Sequence, residues 1–109
     1  MTTMEYDRLY IGGEWSAPDG TSTIDVHSAA TEEYIGQVPE GTEQDIDRAV
    51  QAARVAFDDP QGWSQWAAAQ RVDVLRRFAD ELDARGSETA RRVTMQNGMP
   101  IALSQKWET

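Results

Sequence analysis

Between Gly41 and Trp66 the chain runs GTEQDIDRAVQAARVAFDDPQGWSQW, and both ends of an amphipathic helix are marked in it. Thr42 offers a hydroxyl to the orphan amides of a first turn, and Glu43, Asp45 and Asp47 sit where the helix dipole is positive. Asp45 stands three residues after the cap, the position of a capping-box partner. Ile46, Ala49, Val50, Ala53 and Phe57 recur as one apolar stripe, which predicts a core-facing helix. Alanines at 49, 52, 53 and 56 keep its surface thin, so that a neighbouring backbone can approach closely. Asp59-Pro60 ends the run, because the residue before a proline is pushed out of the helical region. Gly62-Trp63 then predicts a plug against the helix just finished.

A chain of 109 residues, 39% hydrophobic, has the size of about one small domain. Its formal charge of −9 argues against nucleic acid or anionic membrane as a partner, since both require a basic face. No window is apolar enough for a membrane span, and the start MTTMEYDRLY has no apolar region of a secretory signal. The absence of cysteine removes any disulfide framework, thiolate metal site or thiol nucleophile from these residues. A cytoplasmic location is the expectation.

In chain order, residues 1–8 are polar and predict a flexible N-terminus. Leu9-Tyr10-Ile11 and Glu14-Trp15-Ser16 flank Gly12-Gly13, and two glycines supply the positive φ angles of a type I′ hairpin turn. A phosphate-cradling role for the same glycines is weak, because no helix is predicted to open behind them. Pro18-Asp19-Gly20 is a turn, and a second strand pair follows over 22–27 and 34–38. A second helix is predicted from about Ala68 to Arg85, with the stripe Val72, Leu75, Phe78, Ala79 and Leu82 and the pairs Asp73–Arg77 and Glu81–Arg85. Gly86 is placed to end it, Ser87 to cap a third helix through Asn97, and Asn97-Gly98 with Pro100 to stop that one. Pro100 suits the start of a fourth helix that has barely turned when the chain reaches Thr109, so a truncated domain is expected.

The set IGGEW, DRAVQAARVAF, RVDVLRRFADEL and NGMP, in this order and spacing, resembles the N-terminal region of the aldehyde dehydrogenase superfamily. The resemblance covers the chain from Leu9 onward. It implies an α/β fold in which residues 9–109 are the N-terminal part of the NAD(P)-binding domain, here two β-hairpins, three helices and the start of a fourth. It also implies a full-length parent that is a homo-oligomer using NAD or NADP and oxidising an aldehyde to an acid through a cysteine thioester and hydride transfer. The nucleophilic cysteine and the glutamate base lie later in such proteins, so no catalytic, cofactor-binding or metal residue is carried onto this chain, and none of these groups is expected to bind it alone. Two departures from the family pattern stand out. Between the strands the family reads Asn-Pro-Ala-Thr-Gly-Glu, where this chain has Ser28-Ala29-Ala30-Thr31-Glu32-Glu33 with Glu32 in the glycine's place. At the second helix the family's Ser-Pro-x-Glu-Arg is Ala67-Ala68-Ala69-Gln70-Arg71.

Some members bind a monovalent cation, and the resemblance would draw its ligands from the carbonyls of Val26 and His27 and from Asn97. Asn97 brings no charge where the family has an acid, and a hard cation wants several oxygens, so the site is not expected here. His27, the only histidine, lies at a strand end and is expected as an ordinary surface or half-buried residue rather than a catalytic base. Glu32-Glu33 and Asp58-Asp59 are adjacent acids on turns and point apart. Met95 and Met99, with Trp63, Trp66 and Trp107, are expected in core or interface, and Arg76-Arg77 and Arg91-Arg92 as paired or solvated helix-face charges. The alternative to a dehydrogenase fragment is a short non-enzymatic module that pairs with a full-length dehydrogenase subunit.

Overall fold

The computed structural model describes residues 3–107, without the side chain of Trp107, so the packing expected of that tryptophan lies outside the described residues. Five strands precede four helices: β1 (Met4–Glu5), β2 (Leu9–Ile11), β3 (Glu14–Ser16), β4 (Thr23–His27), β5 (Tyr34–Pro39), α1 (Glu43–Asp58), α2 (Ala68–Ala84), α3 (Gly86–Asn97) and α4 (Ile101–Trp107). They fall into two compact units, one of residues 1–26 and 34–66, the other of residues 27–33 and 67–109.

In the first unit β2 and β3 form an antiparallel hairpin in which Leu9 faces Ser16 and Ile11 faces Glu14. Gly12 and Gly13 turn it at φ of 65° and 85°, the double positive φ that their sequence predicts. A separate three-stranded sheet has the order β1-β5-β4. The expected flexible stretch at 1–8 is corrected at its centre: Met4 and Glu5 run parallel to Gly36 and Gln37, and the Tyr6 amide donates to the Gln37 carbonyl at 3.0 Å. Gly36 admits that strand, since a Cβ there would overlap the Met4 carbonyl. Residues 1 and 2 lie outside the described residues.

α1 begins and ends where its punctuation places it, with Thr42 as cap and Asp59 extended ahead of Pro60. Its packing differs from the expectation. Asp45, Ala49 and Ala52 face inward, and the Ala52 methyl lies 3.6 Å from where a Gly12 Cβ would stand. Ile46, Val50 and Phe57 remain 60%, 62% and 64% exposed. The helix therefore meets its own unit along the alanine edge, about 100° round from the large apolar residues. Beyond α1 a 3₁₀ turn covers Trp63–Gln65. Gly62 makes the close approach, with Ala56 carbonyl and Asp59 atoms 2.9 Å from a built Cβ, while Ser64 Oγ donates to the Phe57 carbonyl at 2.9 Å. Trp63 packs on Trp66, ring centroids 5.6 Å apart.

In the second unit α2 starts at Ala68 as expected, but no residue of it is buried and Phe78 is 61% exposed. Gly86 does not close α2 in a left-handed conformation. It is the buried first residue of α3, and Arg85 joins the two helices at φ −106°, ψ 10°. Ser87 accordingly lies inside α3 and does not cap it. The centre of this unit is the contact of α3 with α4. Ala90 is fully buried, and Thr94 and Ser104 share a hydroxyl hydrogen bond of 2.9 Å across the two helices. Gly98 ends α3 at φ 77°, its amide donating to the Thr94 carbonyl, which is the cap that Asn97-Gly98 predicts.

Candidate functional site

Asp45 gathers more interactions than any other carboxylate among the described residues. It is 2% exposed, and its Oδ2 accepts the Thr42 amide at 3.0 Å while the Thr42 hydroxyl accepts the Asp45 amide at 3.3 Å. Its Oδ1 takes the Asp19 amide at 2.9 Å and the Arg48 guanidinium at 2.6 Å, and Arg48 reaches on to the Ala17 carbonyl at 3.0 Å. The Thr42 amide and the Arg48 guanidinium, joined by the Asp19 amide, hold the Asp45 carboxyl down to about 2. The sequence gives the capping pair but not the reach to residues 17–19, because no local spacing encodes a contact across that distance. An acid locked as an anion by this many donors cannot act as a general acid or base near neutral pH. Its chemistry is structural: it ties the Pro18-Asp19-Gly20 turn to the start of α1.

The other candidates are scattered. Beside the hairpin turn, Tyr10 to Gly13 and the alanine edge of α1 bound an open groove of about 1000 Å³ that extends to Asp58 and Asp59. Gly12-Gly13 leads into β3 rather than into a helix N-terminus, so no fan of free amides faces the groove. Of the residues named for the cation site, Asn97 has its Oδ1 accepting the Met99 amide at 2.8 Å. Among the described residues no group of three or more His, Asp or Glu side chains could hold a metal ion.

The acid pairs are engaged locally. Asp58 bonds Arg54 at 3.4 Å, Asp59 accepts the Gln61 amide at 2.9 Å, and Glu33 accepts the Thr31 hydroxyl at 3.3 Å. Asp73 meets Arg76 at 4.0 Å rather than the expected Arg77, whereas Glu81–Arg85 forms at 4.0 Å as its spacing predicts. Arg92 pairs with Glu88. Met95 and Met99 are half-buried, and the Met95 carbonyl accepts the Ala29 amide at 3.1 Å. No helix among the described residues is long and apolar enough to cross a membrane.

Comparison with known proteins places these elements in a family. The model of the aldehyde dehydrogenase family matches residues 15–109. Geranial dehydrogenase of Castellaniella defragrans is 40% identical over 107 residues, which are 98% of this chain and 22% of that protein. The crystal structure of a Mycobacterium tuberculosis aldehyde dehydrogenase complexed with NAD+ superposes with a TM-score of 0.90 at 33% identity, covering 97% of this chain and 22% of that one. An NAD-dependent aldehyde dehydrogenase from Sinorhizobium meliloti gives 0.86 at 33% identity, covering 95% and 20%. The chain thus spans about a fifth of the length of the relatives it matches. With a match running from Trp15 to Thr109 and strands and helices that superpose in order, this chain belongs to the aldehyde dehydrogenase family.

Proposed function

We propose that this chain is the N-terminal part of the NAD(P)-binding domain of an NAD(P)-dependent aldehyde dehydrogenase, with residues 9–109 supplying scaffold. The observation that carries this is a family match over nearly the whole chain to proteins about five times its length. The parent would be a cytoplasmic homo-oligomer that oxidises an aldehyde to an acid, using a cysteine to form the thioester and NAD or NADP to accept hydride. This chain has no cysteine, so the nucleophile has to come from residues outside it. What its own residues do is hold strands, turns and helix starts in place, Asp45 foremost. The alternative, a short module that pairs with a dehydrogenase subunit, is not favoured, because the relatives matched along the whole chain are themselves dehydrogenases.

Two measurements test the proposal. Reading the DNA after the Thr109 codon should show an in-frame continuation that encodes a cysteine in a catalytic-loop context, and a stop codon there would count against it. Purified 1–109 with a panel of aldehydes and either NAD or NADP should give no cofactor reduction above the buffer blank. Turnover by the 109-residue chain would overturn the assignment of these residues to scaffold.

A further inference from the structure

We propose that Asn97 is a self-modification site, gated by the cap of α3: the Gly98 backbone nitrogen attacks the Asn97 side-chain amide, and the residue becomes aspartate or isoaspartate. Asn97 is the chain's one asparagine, and a glycine follows it, whose missing Cβ leaves the attacking nitrogen open to close approach. In the first step the Gly98 nitrogen gives up its proton and bonds to Asn97 Cγ. The Cγ–Nδ2 bond breaks, and Nδ2 leaves as ammonia with that proton, closing a succinimide ring. Water, the one co-reactant, then opens either ring carbonyl. Opening at Cγ gives aspartate. Opening at the main-chain carbonyl gives isoaspartate, in which the chain runs on through Cγ.

The end of α3 supplies one contact that favours this reaction and one that restrains it. Asn97 Oδ1 accepts the Met99 amide at 2.8 Å. The carbonyl under attack therefore already has a donor on the oxygen where negative charge builds in the tetrahedral intermediate. The restraint is on the nucleophile: the Gly98 amide donates to the Thr94 carbonyl at 3.0 Å, with Gly98 at φ 77°. That is the αL cap, which closes a helix with a single backbone bond. A Schellman end would use the Met95 carbonyl and the Met99 amide as well, but the first accepts the Ala29 amide at 3.1 Å and the second is held by the Asn97 side chain. One bond therefore has to open before Gly98 can turn on Asn97, at a helix end, where opening costs least. Every reacting atom lies within residues 94–99, so the reaction does not depend on what covers the apolar faces of the helices. The product loosens the cap that gated it. A carboxylate at 97 stands at the negative end of the α3 dipole, and isoaspartate lengthens the main chain by one atom just ahead of the Gly98 amide.

Purified 1–109 held at a fixed, mildly alkaline pH should gain about 1 Da and one negative charge, from −9 to −10, while ammonia accumulates in equal amount. Fragmentation of the tryptic peptide 93–106 should place the gain at residue 97, and an isoaspartyl methyltransferase should label the isoaspartate share. The free peptide 93–106 is too short to hold the α3 cap. It should react faster than the chain by about fivefold, the effect of one backbone hydrogen bond that no longer has to open. Asn97→Gln should abolish the gain, because its longer side chain would have to close a larger ring. A chain that keeps its asparagine while the peptide converts overturns the proposal, since the fold then protects the residue completely. Equal rates in chain and peptide also overturn it, since the cap then plays no part, and so does a gain that maps to a glutamine or survives in Asn97→Gln. None of these outcomes bears on the dehydrogenase assignment, so the two stand or fall separately.

Discussion

One residue carries backbone tension and another carries its converse. Glu32 sits at φ 62°, in the left-handed region that costs an ordinary side chain roughly 1–2 kcal/mol. The turn forms nonetheless: the Glu32 amide donates to the Ser28 carbonyl at 2.9 Å, and the Ser28 amide donates to the Glu33 carbonyl at 2.8 Å. The sequence showed the place, because the family pattern has glycine there, but not whether the turn would survive without it. Glu32→Gly should raise stability by about 1 kcal/mol, the relief of φ strain less the added freedom of the unfolded glycine; a denaturation midpoint that stays put or falls would show that residues 31–33 already compensate. Asp45 is the opposite case, an acid stabilised as an anion. Its folded value of about 2 lies below the ordinary carboxylate range near 4, so its contribution is full above about pH 4 and is lost as pH falls through about 2. Acid titration of unfolding should show this loss between about pH 4 and 2. Asp45→Asn should lower stability at neutral pH and flatten that part of the curve, and an unchanged acid limb would remove Asp45 from its cause.

At the scale of elements, boundaries were legible wherever a residue type has one conformational job. Thr42, Asp59-Pro60, Gly12-Gly13 and Gly98 all did what their chemistry predicts. Gly86 and Ser87 misled because each has two uses. A glycine can turn a chain left-handed or let helices pack closely, and a serine serves inside a first turn as well as before it. The start of α2 rests on a cap that is half built. Gln70 Oε1 accepts the Ala67 amide at 3.0 Å, but alanine has no oxygen to return to the first-turn amides. Ser64 lies in the 3₁₀ turn ahead of α2, its hydroxyl donating to the Phe57 carbonyl. Ala67→Ser should therefore complete the reciprocal pair and stabilise the chain by about 0.5–2 kcal/mol. Equal or lower denaturation midpoints for the serine variant would mean that α2 is not limited by its first turn. The exposed pairs Asp73–Arg76 and Glu81–Arg85 contribute little by comparison.

For the whole molecule, periodicity showed which helix faces are apolar and could not show what covers them. The stripes of α1 and α2 read as core-facing, yet Ile46, Val50, Phe57, Leu75 and Phe78 are all exposed, and among the described residues only Ile35 and Ala90 are buried hydrophobics. A pattern along a sequence records that a face is apolar; the partner of that face is encoded elsewhere. The Asp45 site was half legible for the same reason, its cap being local and its reach to Asp19 not. Burial of apolar surface is the main favourable term in folding, at about 25 cal/mol per Å², and conformational entropy opposes it along the whole chain. With so few large side chains out of water, the 109-residue chain should be marginally stable, with exposed apolar faces that invite association. Urea denaturation of 1–109 should give a shallow transition, with a slope below that of a compact domain of this length, and the apolar dye ANS should bind before unfolding begins. Fusion to the downstream part of the parent should steepen the transition and suppress dye binding, since it covers those faces. A steep two-state transition of a clean monomer that binds no dye would show instead that these 109 residues close their own core.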